Sequence, residues 1–300
     1  MQARAVADNP PEYGGKDHLI FSSGPEADNR IGIYAHGGCD LRAIFATKPF
    51  IQKVLNGTCC IMQEGWVFDS RSDLLLQTLR GLPEEWTAPV IERLQLEPDY
   101  FRPRLFEGTL LAPGPDGPLA FPKKVAIFSI GSDVVRMVYR HHEHDLLVDP
   151  GAAWLNRGID RALSDLPLAR WFKDNFISLG RLGLEEFASN IAGIVQALRD
   201  RTGAHVMVLN MLGPEPRSRI HNYQFVKDPL SMRRREFNIA LAELSRSLNF
   251  SIVDADRMLQ RTGIRDQVNW AHPHPRQFLA LGREMFRVMS EIGVFGASGA

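Results

Sequence analysis

A chain of 300 residues with 44% apolar content is long enough to bury a full hydrophobic core. Its 35 basic residues balance 35 acidic ones, so no net field draws it to nucleic acid or to an anionic membrane surface. No apolar run approaches the ~20 residues that span a bilayer, and the N-terminus lacks a stretch of signal-peptide type, so a cytoplasmic protein is expected. The three cysteines, Cys39, Cys59 and Cys60, make an odd count without CxxC or Cys/His zinc spacing. Free thiols in a reducing compartment are the simpler reading, since adjacent cysteines pair only under strain.

Residues 1–30 show no clear period and are expected to form a loosely packed N-terminal arm. Ile31-Gly-Ile-Tyr-Ala-His36 fits a buried strand with a tight Gly37-Gly38 exit, and Asp40 to Lys53 follows with helical spacing. Short helices are expected over Asp73–Leu79 and Trp86–Leu94. The Pro- and Gly-rich stretch that follows marks an insertion around residues 86–124. Val125–Ile130 reads as a strand, then Gly131 and a helix to about His142, then a strand over Asp145–Asp149. Apolar residues at Leu184, Phe187, Ile191, Ile194, Val195 and Leu198 form one helical stripe, which Gly203 stops. A strand over His205–Asn210, a helix over Met232–Leu248, a strand over Phe250–Asp254 and a last helix over Arg276–Ile292 complete the chain before a loose tail at 296–300.

Strands alternating with helices at this spacing predict a single α/β domain over residues 31–295, a three-layer sandwich around a central, mainly parallel sheet. Ligands bind such sheets at the carboxyl ends of the strands, which selects residues 37–40, 131–133, 150–156, 210–216 and 266–274.

Cys39 follows a strand at the start of a helix, where unpaired N–H groups and the helix dipole favour a thiolate, although Asp40 beside it opposes that shift. The competing reading is a small buried hydrophobe next to a Gly-Gly turn. Asn269-Trp270-Ala-His272-Pro-His274-Pro holds two imidazoles between prolines, so His272 and His274 are candidate general bases and Asn269 a candidate orienting group. A Cys–His pair oriented by Asn is a workable nucleophilic set. Gly131 and Ser132 follow a strand and are candidates for holding an oxyanion, with Ser132 also a rival nucleophile. Trp154 and Trp270, beside strand-end loops, suit stacking on a sugar face or serve as core aromatics. The run His141, His142, Glu143, His144 lacks a fuller ligand set, and no metal site is assigned to it; Arg233-Arg234-Arg235 reads as a solvated helix face. No GxxxxGK[ST] loop or GxGxxG turn is present, and no cofactor is expected.

The order of elements resembles the SGNH, or GDSL-like, hydrolase superfamily over residues 31–56 and 125–292. Gly37-Gly38-Cys39-Asp40-Leu41-Arg42 is similar to the nucleophile turn of that family, or to the Gly-Ser-Cys variant of related bacterial families. Gly131 corresponds to the second-block glycine of the oxyanion hole, and His272-Pro-His-Pro to the block that supplies the catalytic histidine. The resemblance implies a flavodoxin-like sandwich and acyl-group chemistry, as esterase or O-acyltransferase, on a glycan or small metabolite, with an acyl donor as a further partner. Three departures stand out: Cys39 replaces the family's serine, Asn269 stands where the acid belongs with Asp266 as a substitute, and Asn156 after Pro150-Gly151 is all that matches the Gly-x-Asn-Asp block. These departures also admit a catalytically degenerate module that binds or assembles without turnover. A lesser alternative is a sugar or nucleotide transferase using the strand-end Asp133 and Asp149.

Overall fold

In the computed structural model the described residues are 18–22, 31–37, 40–41, 44, 59–63, 71–96, 98, 100–102, 123–149, 166–213, 230–263 and 275–295. Strands buried on both faces of a parallel sheet must be apolar almost throughout, and three segments meet that condition. They are β2 (Ile31–His36), β4 (Lys123–Ser129) and β8 (His205–Leu209). β2 is buried at every position, β4 everywhere except at Lys123 and Lys124, and β8 everywhere except at His205. β2 pairs in parallel with β4 from Ile31↔Lys123 to His36↔Phe128, and β4 with β8 from Val125↔His205 to Ser129↔Leu209. β9 (Ser251–Val253) continues the parallel set beside β8. On the opposite side β1 (His18–Ser22) runs antiparallel to β2, and β3 (Cys59–Gln63) antiparallel to β1, which makes the order β3-β1-β2-β4-β8-β9.

The alternation of side chains along these strands divides the core in two. Ile33, Ile127, Met207 and Leu209 join Leu41, Ile44 and the buried faces of α7 (Ala255–Thr262) and α8 (Pro275–Glu291). Tyr34, Ala126, Phe128 and Val208 join the faces of α1 (Ser72–Arg80), α5 (Leu184–Thr202) and α6 (Leu230–Leu248). Helices on both faces of a parallel sheet are the three-layer α/β sandwich expected from the sequence. α5 carries the expected stripe, and it ends at Gly203, whose φ of 65° lets its N–H reach the Arg199 carbonyl.

A third cluster lies outside these two. α2 (Glu84–Leu94) packs Val90 and Leu94 with Tyr100, Phe101, Phe172 and Phe176, against a small antiparallel sheet of order β6-β5-β7. Its strands are β5 (Tyr139–His141), β6 (Leu147–Val148) and β7 (Phe176–Ser178), with α4 (Leu166–Asn175) leading into β7. α2 belongs to the expected insertion; residues 103–122 of that stretch lie outside the described residues, and Lys123 and Lys124 belong to β4.

Three expectations are corrected. His18–Ser22, expected in the arm, is a strand of the central sheet, because Leu19 and Ile20 occupy ladder positions opposite Tyr34 and Ile33. The helix after Gly131 is only α3 (Gly131–Val135); Arg136 is extended, and Tyr139–His141 pairs with β7. The strand expected over Asp145–Asp149 is the two-residue β6, paired antiparallel with β5 and not part of the parallel sheet. Residues 150–156 therefore do not follow a central strand, so the strand-end rule does not select them.

Packing between α1 and α5 depends on Gly193, where an added Cβ would meet the Leu76 methyls at 2.9 and 3.0 Å. Gly193→Val is expected to lower stability by roughly 1–3 kcal/mol through overpacking. Urea unfolding checks this, and an unchanged midpoint contradicts close contact there.

Candidate functional site

Parallel pairing in register carries the exits of β2 and β4 out of the sheet side by side. At Gly37 the backbone passes so close to its neighbours that a Cβ would sit 2.7 Å from Leu41 Cδ1 and 2.8 Å from Ser129 Oγ, so a larger residue would displace one of those side chains. Asp40, Leu41 and Ile44 are helical, and the Leu41 N–H donates to Asp40 Oδ1 at 2.8 Å. The second Asp40 oxygen lies 3.6 Å from where a Cβ on Gly131 would be. Asp40, the residue joined to Cys39, and the expected oxyanion glycine are thus against one another. Ser132 is buried in the first turn of α3, and its carbonyl accepts from Arg136 N.

Ser129, the last residue of β4, was not singled out by the sequence. Its residue is 6% exposed and its Oγ has no hydrogen-bond partner among the described residues. Leaving a buried hydroxyl unpaired costs about 1–3 kcal/mol. The signal that would have found it is its place: a small polar residue ending an otherwise apolar central strand.

Asp133 is buried and engaged with α1. Its Oδ1 accepts from Ser72 N at 2.7 Å and Ser72 Oγ at 2.6 Å, and Asn190 Nδ2 reaches the same hydroxyl at 3.4 Å. α1 has no side-chain cap of its own at Arg71, so a carboxyl from another element satisfies its first turn. Beside it Arg71 and Asp73 form a buried ion pair, and Arg71 Nη1 donates to the Gly180 carbonyl at 2.6 Å. Burial pushes the Asp133 carboxyl up to about 7, against the lowering effect of the Ser72 bonds. Asp149 is also buried; it faces Arg136 at 3.6 Å, and its backbone N–H and carbonyl both bond the Tyr100 hydroxyl. Burial, followed by the Asp149 charge, raises the Tyr100 hydroxyl far above the ordinary phenol range. Both aspartates, the residues of the transferase alternative, are buried and bonded within the fold.

The exit of β8 is tied to α7. Asn210 Nδ2 donates to Asp254 Oδ1 at 3.0 Å, Asp256 N to Asn210 Oδ1 at 3.1 Å and Gly213 N to Asp256 Oδ1 at 2.9 Å. Asn238 clamps Met211 from α6, donating to its carbonyl at 2.6 Å and accepting its N–H at 3.3 Å. Gly38, Cys39, Trp154, Asn156, Asp266, Asn269, Trp270, His272 and His274 lie outside the described residues. The ends of the segment that holds Asp266 to His274 are linked: Gln277 Nε2, in the first turn of α8, donates to the Gly263 carbonyl at 2.7 Å.

Of the arginine run at the start of α6 only Arg235 is exposed, as a solvated face requires. Arg233 bonds the Leu182 carbonyl at 2.9 Å, and Arg234 is fully buried. His144 stacks between Trp86 and His141, with centroids 4.9 and 5.0 Å away, and burial lowers the His141 pKa. Among the described residues no group of three or more His, Cys, Asp or Glu side chains converges to hold a metal. Nor is any described helix long and apolar enough to cross a membrane.

No family model matches the chain, and no curated protein does. Among solved structures it is similar to a point mutant of an acetyl-xylooligosaccharide esterase from Geobacillus stearmophilus, at 14% identity and a TM-score of 0.32. The likeness covers 54% of this chain and 57% of that enzyme, so the chain spans under two thirds of its length. Similarity at this level assigns no activity to the chain.

Asp133 sets a pH dependence. Folded, it keeps its proton to about pH 7, whereas its ordinary value is 3.8. Between those values the folded state binds the extra proton, so this group makes stability fall as pH rises from 3.8 to about 7. Asp133→Asn removes the titration and is expected to flatten that decline in urea unfolding from about pH 4.5 to 7.5. An equally steep decline in the variant contradicts the assignment.

Proposed function

We propose that the chain performs acyl-group chemistry, as an esterase or O-acyltransferase, with Cys39 as nucleophile and His272 as general base. The observation that supports this reading is the contact between the exits of β2 and β4, with Asp40 against Gly131. In this reading Asp40, the residue that follows Cys39 in the chain, lies against the glycine whose backbone N–H serves the oxyanion. Thiols ionise more readily than serine hydroxyls, so such a site needs less help from its base.

In the proposed cycle His272 accepts the thiol proton and the Cys39 sulfur attacks the ester carbonyl carbon. The carbonyl π pair moves to oxygen and is held by backbone N–H groups at Gly38 and Gly131. Collapse breaks the carbon–oxygen ester bond; the alcohol leaves with the proton from the imidazolium, and the acyl group remains as a thioester on Cys39. Water or a second alcohol, deprotonated by His272, then attacks the thioester and restores the thiol. Asn269 or Asp266 orients the imidazole, and His274 is the alternative base. Trp154, Trp270 and Asn156 suit a carbohydrate ester, through ring stacking and a hydrogen bond to a sugar hydroxyl.

Turnover of p-nitrophenyl acetate tests this. Cys39→Ala and His272→Ala are each expected to lower kcat/KM by about 10²-fold or more. Full turnover in both variants sinks the mechanism.

A further inference from the structure

Within the parallel ladder of β2, β4 and β8, Ser129 holds a buried polar atom with no hydrogen-bond partner among the described residues. The residue ends β4 in the row opposite Leu209, one step past the Phe128–His36 pair. Its hydroxyl points at Gly37, where 2.8 Å would separate it from a Cβ, and the residue is 6% exposed without a hydrogen bond to its Oγ. An alanine would fill nearly the same space and carry no desolvation cost. Gly37 lies two residues before Cys39, within about 7 Å along the chain.

We propose that Ser129 Oγ donates a hydrogen bond to the carbonyl oxygen of a bound acyl ester, which makes it a substrate-contacting residue at the same edge. This rests on the reading of that edge as an acyl-transfer site. No partner is found among the described residues because it arrives with the ligand. The hydroxyl lies on the sheet face shared with Leu41. As the carbonyl carbon becomes tetrahedral its oxygen gains charge, and a donor already buried there strengthens its bond without reorganising solvent. The ligand class is therefore a carboxylic ester whose acyl oxygen is met at the carboxyl end of β4.

The test compares wild type, Ser129→Ala, Ser129→Cys and Cys39→Ala with p-nitrophenyl acetate, together with their melting temperatures. Ser129→Ala is expected to lower kcat on the order of 10²-fold, with KM within about threefold and the melting temperature unchanged or higher. Ser129→Cys, of similar size but a weaker donor, falls between the two. Full kcat in Ser129→Ala overturns the proposal. So does a lost kcat accompanied by a lower melting temperature, because the hydroxyl would then have a partner in the protein. Cys39→Ala judges the underlying reading separately: its full turnover removes Cys39 as nucleophile, whatever the serine variants do.

Discussion

The hydrogen-bonded register between β2 and β4 is the constraint on which the rest of this fold depends. Six residue pairs, from Ile31↔Lys123 to His36↔Phe128, hold two central strands level at their carboxyl ends. Both strands are buried on both faces, so a slip of one residue would exchange the two cores, sending Ile33 and Ile127 where Tyr34 and Ala126 belong. The register therefore also determines which residues meet above the sheet. Gly37 can approach Ser129 and Asp40 can lie against Gly131 only because the strands end together.

A second layer of constraint is polar. Asp133 reaches from the exit of β4 to the first turn of α1, and Arg71 reaches from that turn to the carbonyls of Gly180 and Arg136. These bonds tie α1 and the chain leading into α5 to the same sheet edge. Arg71, Ser72, Asp73 and Asp133 are buried, so their bonds are stronger than at a surface and the loss of one partner strands another. The cost of holding Asp133 in an apolar setting appears as its raised pKa, offset in part by two hydrogen bonds from Ser72. The loop after β8 is held by the corresponding set of Asn210, Asp254, Asp256 and Asn238.

Much of the architecture was legible because the signals were periodic. The stripe from Leu184 to Leu198 and the Gly203 stop identified α5, and the apolar runs at residues 31–36 and 205–209 identified two central strands. The misses have particular causes. β1 is only five residues long and takes its place through pairing with a distant strand, which no local pattern reveals. α7 opens at Asp254, whose side chain accepts from Arg257 N, a cap signal hidden by reading that aspartate as the end of a strand. Tyr139–His141 has no helical stripe to oppose strand pairing with β7, so the tertiary contact decides. At the site, glycines and acid–base residue types were readable as candidates. Ser129 and the capping role of Asp133 were not, since both depend on neighbours far along the chain: Gly37 for one, Ser72 for the other.

The proposed chemistry requires one convergence: a sulfur from the early chain and an imidazole from its far end must share the edge where β2 and β4 terminate. A crystal structure of the reduced, unmodified protein measures this most directly, through the distance from the Cys39 sulfur to the His272 and His274 rings. The account predicts one ring nitrogen within about 4 Å of the sulfur, close enough to exchange a proton. Both rings on the far side of the sheet from Cys39 would contradict it.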